Sequence, residues 1–238
     1  MAISDGNDHS AWPRTVAIDG PAGVGKSTIA AALAQRLGFL YFDTGVLYRA
    51  VTLAALGRGL APDDQTALAA LVGQVHIDVS PPGAATDGRT LTVLLDERDV
   101  TWAIRAPEVE RSVSAVSAQP AVREALLQRQ REVARRGGVI MAGRDIGTVV
   151  LPDADLKLYL EATPRERARR RALEEHGRGL DRPFPEVLGD IAQRDDLDEH
   201  RAISPLRPAD DAVRLDTEGQ GIPAVLATID AILARGRR

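Results

Sequence analysis

The feature that most constrains the fold is a glycine-rich stretch near the start of the chain, Gly20 to Ser27, which reads GPAGVGKS. It follows a short β-branched run, Thr15 to Asp19, and it leads into helical apolar spacing from Ser27 to Leu37, with Gly38 as a stop. The pattern G-x-x-x-x-G-K-[ST] between a strand and a helix is typical of a phosphate-binding loop. The sequence therefore predicts a parallel α/β sheet with an anion site at the end of its first strand.

The physical basis of that prediction is the backbone of the loop. Glycines let successive N–H groups curl around an anion, and the N-terminus of the next helix adds its positive dipole. We expect the side chain of Lys26 to reach the β- and γ-phosphates of a nucleoside triphosphate and the Ser27 hydroxyl to ligate Mg²⁺. The alternative, a glycine-rich turn without a ligand, is disfavoured by the flanking strand and helix. The expected triphosphate-binding residues are Gly20, Pro21, Ala22, Gly23, Val24, Gly25, Lys26, Ser27 and Thr28.

The rest of the chain continues the alternation of strands and helices. Apolar patterns predict the strands Phe39–Phe42, Val139–Ala142, Leu156–Leu160 and Ala212–Asp216. They also predict the helices Val46–Leu56, Pro107–Arg136 with a break at Pro120, Pro164–His176, Pro185–His200 and Ile222–Ala234. From about Pro62 to Arg105 the rhythm differs, because alternating segments at Gln74–Ser80 and Thr90–Leu95 flank a run of turn residues. We expect a small antiparallel insertion there.

Composition narrows the class of protein. No stretch approaches the ~18 continuous apolar residues that a membrane span needs, and the opening MAISDGNDHSAWP lacks the pattern of a signal peptide, so we expect a disordered tail over residues 1–13. The absence of cysteine fits a reducing cytoplasm. A net charge of −4 argues against a general nucleic-acid binder. We expect a cytoplasmic protein that binds neither nucleic acid nor membrane.

A second polar segment is expected at the same edge of the sheet as the phosphate loop. Thr44 follows the second strand, and Arg49 lies about one and a half helical turns further on. The two residues either form a second anion site or are a plain helix cap and a solvated arginine. The N-K-x-D of a GTPase is absent, and the strand Val139–Ala142 ends in Gly-Arg-Asp instead of the Asp-Glu of a motor ATPase. These observations favour a kinase for a small acceptor.

Several motifs in order carry a more specific resemblance. The segments IDGPAGVGKST, DTGVLYRA, GRDIGTVVLPDADLKLYL and RDDLDEHRAISPLRPADDAVRLDT make the chain similar to the bacterial cytidylate kinases, which phosphorylate CMP and dCMP. The similarity runs from about Val16 to the last helix. It implies a P-loop NTPase-type three-layer fold with a central parallel sheet, a core of residues 14–61 and 106–238, an NMP-binding insertion at about 62–105 and a helical lid at about 164–184.

The resemblance also implies roles for individual residues. Thr44, Arg49, Arg144 and Arg201 would bind the phosphate of CMP, Ser114, Arg123 and Asp145 would read the cytosine ring, and Arg194 and Asp198 would bind the sugar hydroxyls. By their spacing alone, Arg194 and Asp198 are equally a routine i,i+4 helix pair. In an extended segment Arg144 and Asp145 would point to opposite faces, toward phosphate and base, the alternative being an ion pair between the two.

The implied reaction transfers a phosphoryl group from ATP to (d)CMP in a monomeric enzyme that uses Mg²⁺. Lys26 and Arg144 would neutralise charge during transfer, together with Arg169 or Arg171 from the arginine-rich helix of the lid. Asp145 would accept a hydrogen bond from the N4 amino group of cytosine, which predicts a preference for CMP and dCMP over UMP of ~10-fold or more. The alternatives are a UMP, adenylate or shikimate kinase, and a nucleotide-dependent regulatory protein without an acceptor.

Overall fold

A five-stranded parallel sheet, in the order β2-β6-β1-β7-β8, forms the centre of the protein in a computed structural model that describes residues 13–177 and 179–235. The strands are β1 Thr15–Asp19, β2 Leu40–Asp43, β3 Ile77–Ser80, β4 Thr92–Leu95, β5 Arg98–Asp99, β6 Val139–Gly143, β7 Leu156–Glu161 and β8 Val213–Asp216. The helices are α1 Lys26–Leu37, α2 Gly45–Gly57, α3 Gln65–Gln74, α4 Pro107–Ala118, α5 Pro120–Arg135, α6 Pro164–Gly177, α7 Phe184–His200 and α8 Ile222–Arg235. The predicted α/β fold is confirmed.

The side-chain alternation of β1 divides the core into two layers. Ala17 packs with α2, α3, α4 and α5 on one face of the sheet, whereas Val16 and Ile18 pack with α1 and α8 on the other. All three side chains are fully buried, as expected for a central parallel strand that is covered on both faces. A third, small cluster of Ala22, Ala168, Val187 and Ile191 joins the phosphate loop to α6 and α7.

The expected antiparallel insertion is present, but the sequence prediction missed helix α3 and strand β5 within it. Strands β3, β4 and β5 form a three-stranded antiparallel sheet. Helix α3 precedes it, capped by the Asp64 carboxylate, which accepts from the backbone N–H of Ala67 at 3.0 Å. Its Leu68 and Leu71 are buried in the larger core layer, together with Ile77 of β3 and Val93 of β4. The strand that was expected to begin at Gln74 begins at Ile77 because α3 occupies the preceding residues.

A helical segment that the sequence prediction also missed follows β6. Residues Ile146–Val150 form one π-helical turn, and the Asp19 carboxylate accepts from the backbone N–H groups of Ile146 at 2.8 Å and Gly147 at 2.7 Å. Burial raises the pKa of Asp19 to about 6, against the opposing effect of these two hydrogen bonds. The end of β1 is thereby tied to the start of this turn.

The remaining predicted elements agree with the structure to within one or two residues, including the break between α4 and α5, where Pro120 is the first residue of α5. Most of the expected N-terminal tail, residues 1–12, lies outside the described residues. Over the residues that the structure describes, every helix is too short or too polar to cross a bilayer.

Candidate active site

A cavity of about 440 Å³ opens at the carboxyl edge of the parallel sheet. It is lined by the phosphate loop, the start of α2, the residues that follow β6, and side chains of α4, α6 and α7. In an open α/β sheet the crevice outside the carboxyl ends of the strands is the usual ligand site. Both polar segments singled out in the sequence therefore meet in one cavity.

The phosphate loop adopts a backbone that requires glycine. Gly20, Gly23 and Gly25 have φ values of 146°, 74° and 96°, and a Cβ at Gly20 would lie 2.4 Å from the carbonyl oxygen of Leu160. The Lys26 ammonium donates to the carbonyl oxygens of Gly20 and Pro21, both at 2.7 Å. Burial, followed by the charge of Arg144, lowers the pKa of Lys26 well below its ordinary value. An anion beside Lys26 would favour the charged ammonium and so offset the effect of burial.

Beside the loop, two oxygen donors lie close together. The Ser27 hydroxyl is 3.3 Å from Asp43 Oδ2, and the other carboxylate oxygen of Asp43 accepts from the backbone N–H of Gly45 at 3.0 Å. Asp43 therefore satisfies the first backbone N–H of α2, although Thr44 holds the N-cap position. The hydroxyl of Thr44, expected to be that cap, donates instead to the carbonyl oxygen of Ala142 at 3.0 Å.

Arg49 is a lining residue of the cavity and is paired, not solvated. Its guanidinium forms an ion pair with Glu110 of α4, and the same carboxylate accepts from Arg194 of α7 at 2.8 Å. Arg194 thus has its partner on another helix, instead of forming the routine i,i+4 pair with Asp198. The plain cap with a solvated arginine is wrong for this segment.

Arg144 and Asp145 have separate partners, so the ion pair between the two is not what fixes them. Arg144 Nε donates to Asp198 Oδ2 at 2.7 Å, while Asp145 forms a buried ion pair with Arg123 and lies 3.6 Å from Arg201. Burial raises the pKa of Asp198, but the charges of Arg144 and Arg194 outweigh it and hold that pKa below its ordinary value. The Asp198 carboxylate therefore remains ionised among cations.

The far end of the cavity combines aromatic and cationic groups. The Arg123 guanidinium stacks 5.4 Å from the centroid of the Tyr48 ring and donates to the carbonyl oxygen of Ser117 at 3.0 Å, with Ser114 beside it. Arg123 Nε, Arg194 Nε and Arg201 Nη2 are buried without a hydrogen-bond partner among the described residues. Buried donors of this kind are costly unless a ligand satisfies them.

The arginine-rich helix α6 brings only some of its cations to the cavity. Arg171 lines it, and so does Arg170, whose guanidinium donates to the carbonyl oxygen of Val24 at 3.1 Å and to the Thr217 hydroxyl at 3.0 Å. Arg169 has 57% of its side chain exposed and pairs with Glu166 at 2.7 Å, outside the cavity lining. Of the two arginines expected to act in catalysis, the structure brings only Arg171 to the site.

This geometry can be compared with known proteins. The family model described as cytidylate kinase matches residues 16–235, which is nearly the whole chain. The chain belongs to the cytidylate kinase family. A cytidylate kinase of Chloroflexus aggregans is 53% identical over 87% of this chain and 88% of that protein. A cytidylate kinase of Desulfitobacterium hafniense is 49% identical over 92% of this chain and 90% of that protein.

A solved structure extends the comparison to the fold. An uncharacterized protein from Eubacterium ventriosum is 10% identical, with a TM-score of 0.51 over 93% of this chain and 98% of that chain. At that identity the likeness concerns the fold alone.

Within this family member, several lining residues were not singled out from the sequence. They include Asp43, Tyr48, Arg105, Glu110 and Arg170. Glu110 had a detectable signal, because it precedes the expected base-reading residue Ser114 by four positions and therefore shares its helix face. Arg170 had no comparable signal, since it stands in a run of three arginines whose orientation depends on packing.

Proposed function

We propose that this chain is a (d)CMP kinase, which transfers the γ-phosphoryl group of ATP to CMP or dCMP and releases ADP and the nucleoside diphosphate. One observation carries the proposal beyond family membership. A loop built to bind phosphate with backbone N–H groups and a cluster of arginines line the same cavity, with a buried carboxylate, Asp145, at the arginine end. Two anionic ligands can therefore bind end to end, as phosphoryl transfer between them requires.

ATP binds through the loop of residues 20–28 in this proposal. Its β- and γ-phosphates replace the carbonyl oxygens of Gly20 and Pro21 as partners of the Lys26 ammonium. The Ser27 hydroxyl and the Asp43 carboxylate, 3.3 Å apart, are hard oxygen donors of the kind that Mg²⁺ prefers. These residues fit the ion, which would neutralise charge on the donor phosphates when bound.

CMP binds at the other end of the cavity. Thr44, Arg49, Arg144 and Arg201 take its phosphate, and Arg194 and Asp198 take the sugar hydroxyls. Arg194 Nε and Arg201 Nη2 support this assignment because both are buried donors without a hydrogen bond among the described residues. The insertion of residues 62–105 and the lid of residues 164–184 close over the monophosphate and the transferred group. The enzyme acts as a cytoplasmic monomer in this proposal, and the lack of cysteine is in keeping with the cytoplasm.

Asp145 selects the base. Cytosine presents an N4 amino donor, which the carboxylate accepts, whereas uracil presents a carbonyl oxygen that would face another acceptor. Arg123 positions the carboxylate through their buried ion pair, and Ser114 provides a further polar contact with the ring. A buried polar group that is left unpaired costs ~1–3 kcal/mol, which gives the preference over UMP.

The chemical step needs no strong general base, since the nucleophile is a phosphate oxygen of CMP that is already anionic. That oxygen forms a bond to the γ-phosphorus in line with the departing bridging oxygen, which leaves with ADP. Lys26, Arg144 and Arg171 offset the charge on the transferred group, and closure of the lid of residues 164–184 excludes water that would otherwise hydrolyse ATP.

A coupled ADP-release assay over a panel of nucleoside monophosphates tests the proposal. We expect turnover with CMP and dCMP and at least ~10-fold lower kcat/KM with UMP. Equal use of AMP or UMP would assign a different acceptor. ATP hydrolysis that no monophosphate stimulates would contradict kinase activity and favour a regulatory protein.

A further inference from the structure

A single carboxylate connects three helices around the cavity. Glu110, in the first turn of α4, pairs through Oε2 with Arg49 of α2. Its other oxygen, Oε1, accepts from Arg194 Nη1 of α7 at 2.8 Å and lies 3.4 Å from Arg171 Nη2 of α6. Glu110 is 24% exposed, so the group is neither a solvated surface ion nor sealed in the core.

This carboxylate keeps its charge. Burial raises its pKa, but the neighbouring charges of Arg49, Arg194 and Arg171 outweigh that effect and hold the pKa below its ordinary value. At neutral pH an anion is therefore fixed among the cations that the proposed function assigns to the acceptor phosphate, the sugar and the transferred phosphoryl group.

A carboxylate held by guanidinium groups uses the same recognition as a phosphate. In both cases N–H donors of arginine meet anionic oxygens in a charge-assisted contact. The other hydrogen bond of Arg49, to the carbonyl oxygen of Ile104, is long at 3.5 Å, so Glu110 is its main partner. A phosphate that approaches Arg49 must take that guanidinium from Glu110 or stand next to a like charge, which is unfavourable.

We propose that Glu110 is an internal competitor of the acceptor phosphate: it holds Arg49, Arg171 and Arg194 together before a ligand binds and yields Arg49 when the phosphate binds. This inference rests on the proposed function, which places the acceptor phosphate at Arg49. Ligands that offer no anionic oxygens leave the competition untouched, so Glu110 lowers affinity for the phosphate moiety and not for the nucleoside.

Isothermal titration of CMP and of cytidine, which lacks the phosphate, separates the two contributions. Glu110→Gln keeps the shape of the side chain and removes its charge. In this variant we expect the Kd of CMP to fall by roughly five- to tenfold, and a tenfold change corresponds to about 1.4 kcal/mol of binding free energy. The Kd of cytidine should stay within about twofold. Glu108→Gln removes an exposed charge from the same turn of α4 and should match wild type with both ligands.

Three results would overturn the inference. A CMP affinity that is unchanged or weaker in Glu110→Gln would show that the carboxylate does not compete. A weaker cytidine affinity would make Glu110 a contact of the nucleoside. If Glu110→Gln does not fold, Glu110→Ala should show the same tighter CMP binding, and failure of both variants to fold would assign Glu110 to stability instead.

The same titrations distinguish failure of the inference from failure of the proposed function. Wild-type protein that neither binds CMP nor forms CDP with ATP and Mg²⁺ contradicts the proposed function. Wild-type protein that does both, with no tighter CMP binding in the Glu110 variants, contradicts only the role of Glu110. The KM of CMP should follow the Kd in each variant.

Discussion

Replacing Asp145 by asparagine should change the base preference more than any other single substitution in the cavity. The carboxylate is buried, it forms an ion pair with Arg123, and its second oxygen lies 3.6 Å from Arg201. Asparagine keeps the volume of the side chain but removes the charge and places an amide donor where an acceptor stood. With CMP the contact to the N4 amino group is weakened, whereas with UMP the new donor can face the O4 carbonyl oxygen.

The size of the effect follows from the kind of bond that is lost. A hydrogen bond to a charged group contributes ~1.5–3 kcal/mol, which corresponds to ~10- to 150-fold in kcat/KM. We therefore expect the ratio of kcat/KM for CMP to that for UMP to fall by at least ~10-fold in Asp145→Asn. The ratio is the right quantity because a lower fraction of active enzyme cancels from it.

The measurement is a steady-state ADP-release assay with both acceptors, together with the Kd of ATP. ATP affinity should stay near the wild-type value, because Lys26 and the phosphate loop lie at the other end of the cavity. Asp153→Asn, which changes an exposed acid three residues before β7, is the matched control and should leave the ratio unchanged. An equal loss with CMP and UMP would refute base reading and reduce Asp145 to a structural partner of Arg123.

Three further results are expected. Lys26→Met should lower kcat by ~10²–10³-fold in the same assay, as for other groups that stabilise transition-state charge, and a loss below tenfold would contradict its role. Arg171→Met should lower kcat by at least ~10-fold more than Arg169→Met, because only Arg171 lines the cavity, and equal effects would refute the assignment. Because burial raises the pKa of Asp19 to about 6 from an ordinary 3.8, its contribution to the free energy of unfolding is fully present below pH 3.8 and is lost as the pH rises through 6, by ~3 kcal/mol at most. Urea unfolding of wild type and Asp19→Asn between pH 4.5 and 7.5 measures this contribution. If the free energy of unfolding had the same pH dependence in both proteins, the raised pKa would be contradicted.

The sequence was sufficient where a local motif also determines a position in the fold. The phosphate loop needs a strand before it and a helix after it, so Gly20 to Ser27 placed β1, α1 and one wall of the cavity together. Pro120 likewise separated α4 from α5, because a proline is tolerated in the first turn of a helix and not in its interior. Both predictions depend on backbone constraints that are independent of distant contacts.

The sequence was insufficient where tertiary packing decides. Helix α3 was missed because a short apolar segment beside strand-like alternation is ambiguous, and only burial of Leu68 and Leu71 against the main body resolves it. The choice between Arg169 and Arg171 needed the orientation of α6, which is fixed by Ala168 packing against α7. Arg171 then falls on the same helix face as the buried Arg167, four residues earlier.

The small cluster that joins α6 and α7 to the phosphate loop differs in size from the two large core layers. It consists of Ala22, Ala168, Val187 and Ile191, and Leu188 packs against it. Separating so few side chains exposes little apolar surface. Local opening of α6 and α7 away from the phosphate loop therefore requires far less free energy than global unfolding. Product escape can therefore proceed while the central sheet stays intact, and amide hydrogens of α6 and α7 should exchange with solvent before those of β1 and β6.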